Sequence, residues 1–117
     1  MSKAALSIFL FGLYLAGLGI VLLVVPELLL NLFGLPSTNE VWIRVVGMLV
    51  LVLAVYYTQT AMMELTSFFQ LTVYVRPFVI VFFALFVLMG LVKPVLILFG
   101  MVDFMGALWT WWALRSK

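Results

Sequence analysis

The 117-residue sequence predicts an all-α integral membrane protein, a four-helix bundle with short loops forming a single transmembrane domain over residues 1–117. Three observations predict it. The chain is 68% hydrophobic and only 9% charged, so it has too little polar surface to cover a water-soluble globule. Its mean hydropathy of +1.40 calls for lipid as solvent. Prolines and polar clusters then divide the apolar sequence into stretches of roughly 20 residues, the length that crosses a hydrocarbon core about 30 Å thick.

The first span is predicted over about residues 3–25, between Lys3 and Pro26, where the missing proline N–H disturbs the helix. Its apolar run is longer than a secretory signal core and lacks a small-x-small cleavage pattern, so it reads as a retained helix. A short interfacial helix follows over about 26–33: Pro26 suits a first helical position and Gly34 a stop. Ser37 and Glu40 have capping-box spacing and open the second span, about 38–63. Glu64, Thr66, Ser67 and Gln70 interrupt the apolar pattern, and Ser67 and Gln70 again have capping-box spacing. The third span is predicted over about 72–92, with a kink at Arg76-Pro77 because the residue before proline is pushed away from the helical region. Gly90 and Lys93-Pro94 open the fourth span, about 94–113, which Arg115 and Lys117 stop.

Both termini then lie on one side of the membrane. Lys3, Arg76, Arg115 and Lys117 stand on that side against Arg44 and Lys93 on the other, which favours cytoplasmic termini. Trp109, Trp111 and Trp112 fall at the same interface, where an indole buries its ring and keeps a hydrogen bond to water or headgroups.

Chemistry is sparse. The absence of cysteine and histidine removes disulfides, thiolate nucleophiles, imidazole bases and the usual soft metal sites, so neither a metal nor a cofactor is expected. A net charge of +2 is too small to point to nucleic acid. Asp103 is the most informative residue, because the predicted fourth span places it near the bilayer midplane, where a carboxylate costs about 2.5–3.5 kcal/mol to insert. It must face the bundle or water. Three readings stand open: a proton or cation relay, an anchor for a polar group on a lipid-soluble ligand, or a structural partner of Arg44, Arg76 or a tyrosine hydroxyl. Arg44 also follows Glu40 by one helical turn, as in an exposed ion pair, and Arg76 is placed to reach either the headgroups or Asp103.

Small residues supply the packing logic. Gly12, Ala16 and Gly19 form a stripe on the first span, Gly47, Ala54, Thr58 and Ala61 on the second, and Gly100, Gly106, Ala107 and Thr110 share a face with Asp103 on the fourth. Such surfaces let membrane helices approach closely.

The segment Phe33-Gly34-Leu35-Pro36, followed by Trp42-Ile43-Arg44-Val45-Val46-Gly47-Met48-Leu49-Val50-Leu51, resembles the region joining the first two helices of small bacterial membrane proteins of the DoxX-like kind. That resemblance implies a four-helix fold in a bacterial inner membrane and carries over no catalytic residue. Abundant packing surface with few reactive groups predicts a non-enzymatic protein that associates with itself or a membrane partner, or holds a lipid-like ligand. The alternative is a proton-coupled transporter of a small hydrophobic or cationic solute that uses Asp103.

Overall fold

The computed structural model describes residues 2–32, 34, 41–91, 94 and 96–115. Among them the chain forms helices α1 (Lys3–Val24), α2 (Pro26–Leu32), α3 (Trp42–Met62), α4 (Thr66–Val75), α5 (Pro77–Leu88) and α6 (Leu96–Arg115), with no strand. Four stretches are long and apolar enough to cross a membrane: Lys3–Val24, Trp42–Met62, Thr66–Leu88 and Ile97–Arg115, of 22, 21, 23 and 19 residues. At 1.5 Å per residue each reaches about 28–35 Å, so this is a small multi-pass membrane protein with an all-α fold.

The helices lie in an order set by α1, which packs along α3 on one side and against α6 on the other, while α5 packs on α6 and α4 touches both α6 and α1. The core is built on α1, where Ala4, Ala5, Ile8, Phe11 and Leu15 meet Ala54, Tyr57 and Ala61 of α3, Phe69 of α4 and Ala113 of α6. By contrast α5 is apolar on every side yet has no buried residue. A helix hydrophobic all round that is not enclosed by protein must be solvated by acyl chains.

The α1–α3 contact is a backbone contact. A Cβ added at Gly47 would stand 2.7 Å from Leu23 N and 2.9 Å from Leu22 C, one at Gly19 2.9 Å from Leu51 N, and one at Gly12 2.8 Å from Thr58 Cγ2. Ala54 is buried between these crossings and Ala16 is half-buried beside them. Without a hydrophobic drive between helices in lipid, close approach of this kind supplies the dispersion energy that holds them together.

Helix ends follow local chemistry, and here the structure departs from the sequence reading. The third span starts at Thr66, not near residue 72, and ends at Leu88, not 92, because Arg76 is itself helical (φ −60°, ψ −37°) and passes the chain from α4 directly into Pro77 at the start of α5. The pre-proline preference is overridden: continuing the helix satisfies backbone groups that hydrocarbon would leave unpaired. The Ser67–Gln70 capping box does not form, since Leu65 is the N-cap and no side chain caps the helix. The turn is made one step earlier, by Glu64 at φ +54°, with Leu65 N donating to Thr60 O (3.1 Å) and Glu64 N to Ala61 O (3.2 Å). Gly90, at φ +76°, ends α5 with the same pair of bonds, Leu91 N to Phe86 O and Gly90 N to Val87 O. The fourth span runs two residues further than expected, to Arg115. The predicted Ser37–Glu40 capping box, the Glu40 side of the proposed pair with Arg44, Lys93, Lys117 and the last residue of the interfacial helix, Phe33, lie outside the described residues.

Glu64 holds an unusual backbone conformation for a reason visible in its side chain. Its Oε1 accepts from Ser2 N (2.7 Å) and its Oε2 from Ser2 Oγ (2.8 Å), while Ser2 Oγ accepts from Ala5 N (3.0 Å) as the N-cap of α1. The carboxylate thus clamps the start of α1 to the α3–α4 turn. Those hydrogen bonds, backbone first and hydroxyl second, hold the Glu64 carboxyl below its ordinary value.

Two expectations follow for stability. Replacing Gly47 with Ala presses a methyl group against α1 backbone and should destabilise the protein by about 1–3 kcal/mol in detergent unfolding, while Gly17→Ala, which meets nothing within 4 Å, should change little. Because the Glu64 value is depressed on folding, its contribution is present above the ordinary carboxylate pKa and is lost as pH falls through the lower folded value. Amide protection factors at the start of α1, corrected for the intrinsic pH dependence of exchange, should therefore fall on acidification in the native protein, and this loss should be absent in Glu64→Gln.

Candidate functional site

Of the three ionisable residues singled out within the apolar sequence, the structure makes Arg76 the centre. Of the two reaches the sequence allows Arg76, toward the headgroups or toward Asp103, the structure shows the inward one: Arg76 lies near the middle of the 66–88 span and is only 2% exposed. The shift of the span's start from residue 72 to Thr66 accounts for this. Moving the start outward moves Arg76 from the edge of the bilayer into its depth.

Its surroundings come from three helices. From α1, the Phe11 ring lies under the guanidinium with its centroid 4.1 Å from Cζ; from α3, the Tyr57 centroid is 5.8 Å away. Both are cation–π distances, and burial makes such contacts stronger than at a surface. From α6, Thr110 Oγ1 accepts a long hydrogen bond from Nη1 (3.3 Å). Thr110 Oγ1 in turn sits 2.7 Å from Ser7 Oγ of α1 and 3.1 Å from Gly106 O, and Ser7 Oγ sits 2.7 Å from Ala4 O. Each hydroxyl is thereby satisfied inside the bundle, as hydrocarbon requires. Gly106 makes the space: a Cβ there would overlap Arg76 Nη2. The arginine's Nε and Nη2 are both fully enclosed and have no hydrogen-bond partner in the structure.

Asp103 stands one turn before Gly106 on α6, half-buried and within electrostatic reach of Arg76, Tyr14 and Tyr57. Among the described residues it makes no hydrogen bond and no ion pair within 4.0 Å. The structure therefore brings Asp103 and Arg76 into one neighbourhood without joining them. Arg44 is elsewhere. Its Nη1 donates to Leu23 O and, at 3.3 Å, to Val24 O at the end of α1. Those carbonyls lose their normal helical donors where Pro26 ends α1, and the arginine caps them.

The proposed packing glycines fall into two groups. Gly12, Gly19 and Gly47 serve the α1–α3 contact, whereas the glycines of α6 serve other neighbours: Gly100 rests on α5, where a Cβ would meet Ile80 Cα at 2.9 Å, and Gly106 makes room for the arginine.

A groove of about 310 Å³ between α1 and α6 leads to this centre, lined by Ser7, Phe11, Tyr14, Gly106 and Trp109 among others, and almost wholly apolar. Its floor at Gly106 is the glycine against which Nη2 rests. What sequence reasoning missed was this junction of Ser7, Phe11, Tyr57 and Thr110 around Arg76. The available signal was the spacing of Ser7, Phe11 and Tyr14, which share one face of the first span. Comparison of the chain with protein-family models, with curated proteins and with solved structures finds no match in any of the three.

The arrangement is costly as it stands. A buried polar group without a partner costs several kcal/mol in hydrocarbon, and Arg76 has two such nitrogens. A desolvated cation–π contact returns about 2 kcal/mol and one long hydrogen bond about 1 kcal/mol. The cost exceeds the return. Arg76→Met, similar in length and free of donors, should therefore raise the thermal stability of delipidated protein by about 1–4 kcal/mol. The midpoint of unfolding in detergent checks this.

Proposed function

We propose that this protein is a non-enzymatic membrane bundle that holds a lipid-soluble amphiphile, with Arg76 supplying the polar end of the site. The observation that carries the reading is the pair of unpartnered, enclosed guanidinium nitrogens at mid-span, next to an apolar groove open to the membrane. A ligand suited to it has an apolar body for the face formed by Phe11, Tyr14 and Trp109, and a hydrogen-bond acceptor oxygen that reaches Arg76 past Gly106 as the side chains of the groove give way. Asp103, nearby and unpaired, offsets the arginine's charge and so favours one acceptor group over a multiply charged head.

The same reading places the protein in a bacterial inner membrane as a relative of the DoxX-like proteins, able to associate through the unenclosed α5 with a second copy or a membrane partner. Cytoplasmic termini rest on a narrower margin once Arg76 is withdrawn from the count: Lys3, Arg115 and Lys117 remain against Arg44 and Lys93.

Purification in mild detergent followed by solvent extraction and mass analysis tests the reading. Wild type should carry a stoichiometric amphiphile that is reduced at least about tenfold in Arg76→Met and retained in Asp103→Asn, the loss expected when a buried charged hydrogen bond is removed. Wild-type protein carrying none, or Arg76→Met carrying the same amount, would sink it. The half-buried, unpaired Asp103 favours a second reading, a proton-coupled carrier. Solute flux into proteoliposomes that follows an imposed pH gradient and vanishes in Asp103→Asn would establish the carrier instead.

A further inference from the structure

A second groove runs between the third span and α6, on the side of the membrane that holds Ser2, Glu64 and Arg115. Its outer part, about 330 Å³, is lined by Gln70, Val73, Tyr74, Trp111 and Arg115 among others. Its inner part, about 240 Å³, is lined by Val73, Pro77, Phe104, Ala107, Leu108 and Trp111. Val73 and Trp111 belong to both, so the two parts form one channel along the surface. It changes character along its length: an amide, a phenol and a guanidinium at the outer end, and only apolar side chains at the inner end.

We propose that this groove binds one anionic phospholipid, its phosphate against Arg115 and one acyl chain lying inward past Val73 to Phe104. Three features support that occupant. From Arg115 to Phe104 the groove follows α6 for about 16 Å, close to half of a hydrocarbon core about 30 Å thick, which is the depth of one leaflet. None of the residues lining it is acidic. The acid at this end of the bundle, Glu64, is engaged by Ser2 and lines, with Lys3, a neighbouring cavity that meets the groove at Leu114 alone. Arg115, meanwhile, stacks on Trp111 with Cζ 4.7 Å from the ring centroid and makes no ion pair among the described residues. The ring holds the guanidinium beside the groove and leaves its N–H groups for a phosphate, with Gln70 and Tyr74 as further donors. Small Ala107, 2% exposed, forms the floor. The site is separate from Arg76 and does not depend on the ligand proposed there.

The full chain in detergent micelles, titrated with phosphatidylglycerol or phosphatidylcholine of the same acyl chains and followed by native mass spectrometry, tests the assignment. Phosphatidylglycerol should bind about five- to tenfold more tightly in wild type, as expected for one charge-assisted contact. Arg115→Gln should abolish that preference, and Val73→Trp, which fills the channel, should weaken both lipids about tenfold. Far-UV circular dichroism and the unfolding midpoint show whether Val73→Trp is folded; where it is not, Leu108→Trp, on an exposed position of the same groove, replaces it. Equal affinity for the two lipids in wild type, or a preference that persists in Arg115→Gln, overturns the proposal. So does a groove-filling variant that is folded and binds both lipids like wild type.

Discussion

Hydrocarbon offers no hydrogen bonds, and the pairing of most polar groups described within the spans follows from that. Backbone amides are paired inside helices, and the points where they cannot be are met locally. Pro26 sits where α2 begins, so it lacks an N–H that a helix start leaves unpaired in any case. The carbonyls that Pro26 strands at the end of α1 are taken by Arg44 from a neighbouring helix. Hydroxyls within the spans turn back on their own helices: Thr58 to Ala54 O, Thr60 to Tyr56 O, Thr72 to Phe69 O. Against this background the two open nitrogens of Arg76 are a departure from the rule.

Lipid also removes the usual reason for helices to come together, which gives α1 its organising role. Its glycines admit α3 to backbone contact, and its Ser7, Phe11 and Ile8 face the other helices. The clamp from Glu64 to Ser2 then fixes the axial register of α1 against the α3–α4 turn. That register decides where Phe11 lies relative to Arg76, so a hydrogen bond at the membrane surface helps to set the geometry at its centre.

Much of the fold was legible from composition alone. The four spans and the stops near Pro26, Gly34 and Gly90 follow from hydropathy and backbone chemistry, which act locally. The candidate site was less legible, and the cause can be named. A proline at the start of a helix and a proline continuing a kinked one leave the same signature in sequence. A span placed over 72–92 sets Arg76 in its first turns, within reach of headgroups and of Asp103 alike, whereas a helix that starts at Thr66 carries the arginine inward. Arg44 was equally opaque, because its acceptors are carbonyls of another helix and carbonyls leave no mark in a sequence. The bond between Ser2 and Glu64 joins residues 62 positions apart, beyond the reach of any local pattern.

The position of Arg76 has the features of a site fitted to a cation, not one that tolerates it. Gly106 lacks the one atom that would exclude the guanidinium, Phe11 presents its ring face at 4.1 Å, and Thr110 directs a hydroxyl toward Nη1. Each comes from a different turn of a different or distant part of the chain, yet none supplies an acceptor to Nε or Nη2. Asp103 is on the correct face of α6 to do so and stops short, contributing field without a bond. A purely structural arginine would be expected to close that gap, since a bonded pair in low dielectric is far better than two charges held apart. The gap leaves Nε and Nη2 enclosed and unpaired, and it is this unmet capacity on which the proposed amphiphile site rests.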